Sequence, residues 1–117
     1  MKNKMKRLIP GKYHCIDAHN HLTGKDGKFD PAEADIVLAV ANRLGIERLC
    51  VSRPLTHDCP RPEEFRQSNA IIAEAMKYSS RFLGFCFVNP GYAREAVAEI
   101  EHCVITHGMV GIKLYHQ

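Results

Sequence analysis

FLGFCFVNPGYAREAVAEIEHCVITHGMVGIKLY, residues 82–115, reads as strand, helix, strand. FLGFCFV (82–88) is a short, nearly continuous apolar run, the pattern of a strand buried on both faces. The NPG that follows (89–91) is turn punctuation. Over 92–106 apolar residues recur at helical spacing: Ala93, Ala96, Val97, Ile100 and Val104. Gly108 supplies a helix stop, and MVGIKLY (109–115) starts a second strand. A helix of this length between two apolar strands is a crossover that joins parallel neighbours.

The same unit repeats toward the N-terminus. YHCIDAH (13–19) reads as a strand. FDPAEADIVLAVANRLG (29–45) reads as a helix, with Asp30 as N-cap, Pro31 at the first helical position and Glu33 spaced for a capping box. Its stripe is Ile36, Val37, Val40, Ala41 and Leu44, and Gly45 stops it. ERLCVSR (47–53) is the next strand, and PLTHDCPRP (54–62), with three prolines, is a loop. A further helix covers about 63–79, with Phe65, Ile72, Ala73 and Met76 facing inward.

The order is therefore βαβαβαβ, with strands recurring about every 30 residues, the length of one such unit. No Gly-x-Gly-x-x-Gly follows the first strand, so dinucleotide-binding α/β has no support. A small open sheet and the first half of a TIM-like (β/α)8 barrel remain. The barrel is favoured because unusual polar residues collect at the C-terminal ends of strands, where barrel enzymes keep their sites. Such a half-barrel leaves two parallel edges and one apolar face without cover.

Composition narrows the function classes. The chain has 117 residues, 45% hydrophobic and 25% charged, which suits one soluble globular domain. The net charge is +3, and residues 1–12 carry four Lys and one Arg with no acid. The rest is close to neutral, which argues against a nucleic-acid groove. Residues 1–12 read as a basic flexible leader without the apolar core of a signal peptide, and 13–117 as the barrel portion. No apolar segment approaches the ~20 residues of a membrane span. The five cysteines are odd in number and form no C-x-x-C. They read as small buried hydrophobes in a reducing compartment, so the expected location is cytoplasmic.

The first strand carries the chemistry. In CIDAHNHL (15–22), Asp17, His19 and His21 stand two apart, which on a regular strand points all three one way. Two imidazoles so placed suit a divalent metal such as Zn²⁺, Fe²⁺, Ni²⁺ or Mn²⁺, with Zn²⁺ as the first choice. Asp17 is a candidate for orienting an imidazole or for joining the ligand set. His-x-His also occurs on surfaces without a metal, and a catalytic zinc needs about three protein ligands. Lys113 lies mid-strand, either snorkelling at a strand end or facing a polar barrel mouth. Asn89 follows the third strand and suits either a substrate contact or a turn. His57 sits in the proline-rich loop, where solvation is the ordinary state. His102 and His107 read as surface, His14 is out of phase with the motif, and His116 is next to the last residue.

Together IDAHNHL, the stretch from Arg81 to Tyr115 and the spacing between them resemble the amidohydrolase superfamily. The resemblance is to the amidohydrolase-related branch that holds metal-dependent hydrolases and decarboxylases, and it runs from about residue 13 to 117. It implies that His19 and His21 are the first two metal ligands and that Lys113 stands at the strand-four lysine position. It also implies further ligands on strands five, six and eight, including an aspartate general base, which these four strands do not supply. No catalytic residue is assigned on that basis. The expected activity is hydrolysis of a small-molecule amide, ester or lactone-like substrate. The alternatives are decarboxylation on the same scaffold, or a non-catalytic half-barrel that self-associates as a homo-oligomer. A TIM-barrel nuclease also opens with His-x-His, but its basic face is missing. The expected partner is a small molecule, with no nucleic acid and no membrane.

Overall fold

The computed structural model describes residues 12–57 and 59–115. Residues 1–11 of the leader, Asp58, His116 and Gln117 lie outside the described residues. Seven elements alternate: β1 (Cys15–His21), α1 (Pro31–Leu44), β2 (Ile46–Ser52), α2 (Pro62–Tyr78), β3 (Phe82–Phe87), α3 (Ala93–His107) and β4 (Gly111–Lys113). The four strands form one parallel sheet in the order β1-β2-β3-β4. Sequential order without a reversal excludes the doubly wound sheet, whose strand order turns back at a switch point. Crossovers of one hand then stack every helix on one face and leave the other open. This is the first half of a TIM-like barrel, as the sequence predicts.

Local chemistry sets the helix ends. Asp30 accepts a hydrogen bond from Ala32 N at 3.0 Å, and Pro31 takes the first helical position. Gly45 and Gly108 close α1 and α3 in the left-handed region at φ 71° and 72°, where a side chain would be strained. Glu33 does not form the expected capping box. Its carboxylate instead accepts Thr23 N and Gly24 N, both at 2.8 Å, because the loop after β1 folds over the start of α1.

The core lies between the sheet and the helices and centres on α2. Phe65 and Ile72 pack with Leu49, Val51, Phe82, Cys86 and Met109. Each such side chain contributes roughly 1.5–3 kcal/mol on burial. Gly84 is needed for this approach: a Cβ there would collide with Met76 Sδ and come within 3.1 Å of Ile72 and Met109.

The outer helices depart from the predicted stripes. In α1, Ile36, Val40 and Leu44 are exposed, while Ala34 and Ala41 are buried and Val37 is partly covered. In α3, Val97 and Val104 are exposed, and Ala96, Glu99 and Cys103 are buried. Each outer helix meets the sheet through its small residues. Nothing among the described residues covers the rest of the stripe. Strand four is also shorter than predicted, with Val110, Leu114 and Tyr115 outside it and exposed. Only Cys86 and Cys103 are fully buried. Cys15 and Cys50 are half-buried and Cys59 is exposed in a turn at φ 50°, so the buried reading of the cysteines holds in part.

Candidate functional site at the open end of the sheet

The two ends of the barrel-like sheet are built differently. At the N-terminal end Arg81 is a strut: Nε donates to Glu47 O at 3.0 Å, Nη2 to Ile46 O at 2.6 Å and Nη1 to Asn42 Oδ1 at 2.6 Å. At the C-terminal end the polar groups converge on one another.

β1 does not run as a regular strand. Asp17 pairs with Leu49 and Asn20 with Val51, so three residues of β1 span two of β2. This extra residue is a β-bulge, a device that re-aims side chains. It brings Asp17 and Asn20 into the same phase, and Asn20 Nδ2 donates to Asp17 Oδ2 at 3.0 Å. Asp17 Oδ1 also accepts the backbone N–H of His19 at 3.0 Å. The expectation that Asp17 points with His19 and His21 is corrected by this slip. Its carboxylate fixes the bulge backbone, and its hydrogen bonds go to the His19 amide and Asn20 rather than to an imidazole. The Asn20 amide and the His19 N–H hold its pKa below the ordinary aspartate range.

The bulge leaves both histidines on the open face. His19 Nε2 and His21 Nε2 lie 3.0 Å apart, with ring centroids at 4.9 Å. Lys113 Nζ reaches His19 Nε2 at 3.1 Å. β1 and β4 are the two edges of the sheet, about 14 Å apart if it were flat. Contact between their side chains therefore requires the sheet to curl as a barrel wall does. Lys113 thus turns toward His19 on the open face. Partial burial, then His19, then Lys113 lower the pKa of His21 and favour the neutral ring, the form that ligates a metal. His19 and Lys113 line a cavity of about 110 Å³ with Cys50, Ser52 and Phe85.

The other candidates lie elsewhere. Asn89 Oδ1 accepts Gly91 N at 3.0 Å and its Nδ2 donates to Pro60 O at 3.0 Å, so it acts as a turn residue. It also lines a separate cavity of about 200 Å³ with Leu55, Phe87 and Tyr115. His57 pairs with Glu64 at 3.0 Å, and His14 with Glu47 at 2.9 Å. His102 and His107 stack edge-on at 4.8 Å, and His107 is half-buried rather than fully at the surface. Among the described residues no third His, Cys, Asp or Glu joins His19 and His21 to make a metal-holding group.

Sequence reasoning missed the supports of this end. Arg53 Nε donates to Thr23 O at 2.6 Å, and Ser68 Oγ donates to Arg53 O. Together with Glu33 they hold the loop that leaves His21. Asn69 joins α2 to the end of β3: it donates to Phe87 O at 2.9 Å and to Glu99 Oε1 at 3.0 Å, and accepts Phe87 N at 2.7 Å. A buried Asn and Glu in otherwise apolar helix faces were the available signal.

Four parallel strands, helices on one face and polar groups gathered at the strand C-termini define the class: half of a TIM-like barrel. The chain belongs to the amidohydrolase family, whose model matches residues 16–117. No curated protein matches it. Among solved structures, 2,6-dihydroxybenzoate decarboxylase from Rhizobium aligns with a TM-score of 0.69 at 21% identity, over 85% of this chain and 37% of that one. A 2,6-dihydroxybenzoate decarboxylase complexed with 2,6-dihydroxybenzoate gives 0.69 at 20%, over 85% and 38%. Dihydroxybenzoic acid decarboxylase from Polaromonas sp. JS666, with bound manganese and the inhibitor 2-nitroresorcinol, gives 0.69 at 21%, over 85% and 37%. These likenesses are of fold. The chain spans well under half the length of the structures it matches. Among the described residues no helix is long and apolar enough to cross a membrane.

Proposed function

We propose that this chain supplies the first part of a metal centre in an amidohydrolase-family decarboxylase, a lyase that releases CO₂ from a small carboxylate. The observation that carries the reading is the convergence of His19, His21 and Lys113 on the open face. The donor set fits a divalent ion. Two imidazole nitrogens bound at ~2.0–2.1 Å to one ion stand about 2.9–3.4 Å apart, depending on the angle between them, and here they stand at 3.0 Å. When bound, such an ion acts as a Lewis acid on a carbonyl or carboxylate oxygen. His19 and His21 would hold it, and the Asp17 carboxylate would hold the His19 backbone in place. Lys113 would place a cation beside His19 at the edge of this centre. The ion could be Mn²⁺, which the Polaromonas relative holds, or the Zn²⁺ suggested by the donor types.

Decarboxylation is preferred over amide, ester or lactone hydrolysis because the three similar structures named above are decarboxylases of dihydroxybenzoates. The test is to load the chain with Mn²⁺ or Zn²⁺ and offer 2,6-dihydroxybenzoate beside a panel of amides, esters and lactones. CO₂ release that disappears in His19→Ala and His21→Ala supports the proposal. Acid release without CO₂ replaces it with hydrolysis. Neither product, in a chain that forms an obligate dimer, replaces it with the non-catalytic self-associating half-barrel.

A further inference from the structure

A second polar group reaches the open end without entering the histidine cluster. Arg53 stands one residue beyond the end of β2, and Ser52 before it pairs in register with His21. With His21, Thr23, Pro54 and Leu55 it lines a cavity of about 140 Å³, far more than the ~10–15 Å³ that one water needs. Arg53 as a residue is half-buried. It spends Nε on Thr23 O at 2.6 Å and one Nη1 hydrogen on Ser68 Oγ at 3.4 Å. A guanidinium has five N–H donors, so three remain. Among the described residues no carboxylate pairs with it: Glu33, the nearest acid in the network, is committed to the Thr23 and Gly24 amides. A half-buried cation without a counter-charge among the described residues, beside a cavity whose walls are partly apolar (Leu22, Pro54, Leu55), is matched by an anion with an apolar body.

We infer that Arg53 is a carboxylate-binding residue, which grips the substrate carboxylate through its unused donors while Pro54 and Leu55 carry the apolar part beside His21. The inference deepens the decarboxylase reading and rests on it for the choice of carboxylate over other anions. Thr23 O and Ser68 hold the guanidinium plane, so the fork is set before the ligand arrives.

The experiment is a ¹H–¹⁵N NMR titration of the 117-residue chain with benzoate, with benzamide as its neutral counterpart and with inorganic phosphate. Benzoate is expected to shift the Arg53 Nε–H and the Leu22 and Thr23 amides to saturation, and benzamide to leave them in place. Arg53→Gln should abolish the shift, and Arg53→Lys, which keeps the charge and loses the fork, should weaken it about tenfold. If Arg53→Gln fails to fold, Arg53→Lys and the benzoate–benzamide contrast decide the matter. No saturable benzoate shift at these groups, or one equalled by benzamide, overturns the inference, as does a response to phosphate alone. Benzoate binding at Arg53 without any CO₂ release keeps the inference and removes the reaction. CO₂ release that is unchanged in KM by Arg53→Lys keeps the reaction and removes the inference.

Discussion

The two faces of this sheet use polar residues in opposite ways. On the helix-covered face, Asn69 and Glu99 are buried, and Asn69 is bonded on both its oxygen and its nitrogen. There a polar group is a joint between elements. On the open face, the side-chain bonds of His19, His21 and Lys113 among the described residues are to one another, while Asp17, Glu33 and Arg53 bind backbone around them and Asn20 holds Asp17. There a polar group is held ready for something else. Substitutions on the first face should therefore cost stability, and those on the second should cost binding.

The largest effect is expected at Asn69. Asn69→Ala strips partners from the Phe87 amide and carbonyl and from Glu99, all in the interior. It should destabilise the fold by about 2–4 kcal/mol in denaturant unfolding. A loss below about 1 kcal/mol would break the contrast on the covered side. Gly84→Ala follows. The new methyl would meet Met76, Ile72 and Met109, an overpacking worth roughly 1–3 kcal/mol. A neutral or stabilising result would mean that α2 lies farther from β3 than described.

Acid should act on the open face with a defined sign. The folded pKa of Asp17 is lowered, chiefly by Asn20 and the His19 N–H, so its contribution is complete above pH 3.8 and is lost as pH falls below that value. The folded pKa of His21 is lowered by burial, His19 and Lys113, so the fold prefers the neutral ring. That contribution is complete above pH 6.5 and is lost as pH falls from there through the folded pKa. Unfolding curves between pH 7 and 5 should lose part of their pH dependence in His21→Ala, and those below pH 4 in Asp17→Asn. Unchanged profiles in both variants would contradict these environments. The smallest stability effect is expected for His19→Ala alone, within about 0.5 kcal/mol, because the ring is exposed and its partners belong to the same cluster.

The same contrast explains what the sequence could say. The strand and helix order was legible because apolar periodicity and the Asp30, Gly45 and Gly108 signals act locally. The α2 stripe was legible too, since Phe65, Ile72 and Ala73 are buried. The stripes of α1 and α3 misled because periodicity reports which residues seek cover, while the cover itself depends on neighbours. Ile36 is 66% exposed and Val97 57% for that reason. At the site, His19, His21 and Lys113 announced themselves as polar residues at strand ends. The bulge that separates Asp17 from them did not, because a register slip belongs to the pairing with β2 and not to β1 alone. Glu33 suited a local capping box and took a distant bond instead, a choice that spacing cannot reveal.

The open-face pair His19 and His21 is proposed as the start of a metal centre. The most direct test is a titration of the chain with Mn²⁺, followed by paramagnetic broadening in NMR spectra. We expect saturable broadening centred on the His19 and His21 rings and the Lys113 side chain, absent in the His19→Ala/His21→Ala double variant. Diffuse broadening that the double variant retains would contradict the claim and leave two exposed histidines in contact by chance.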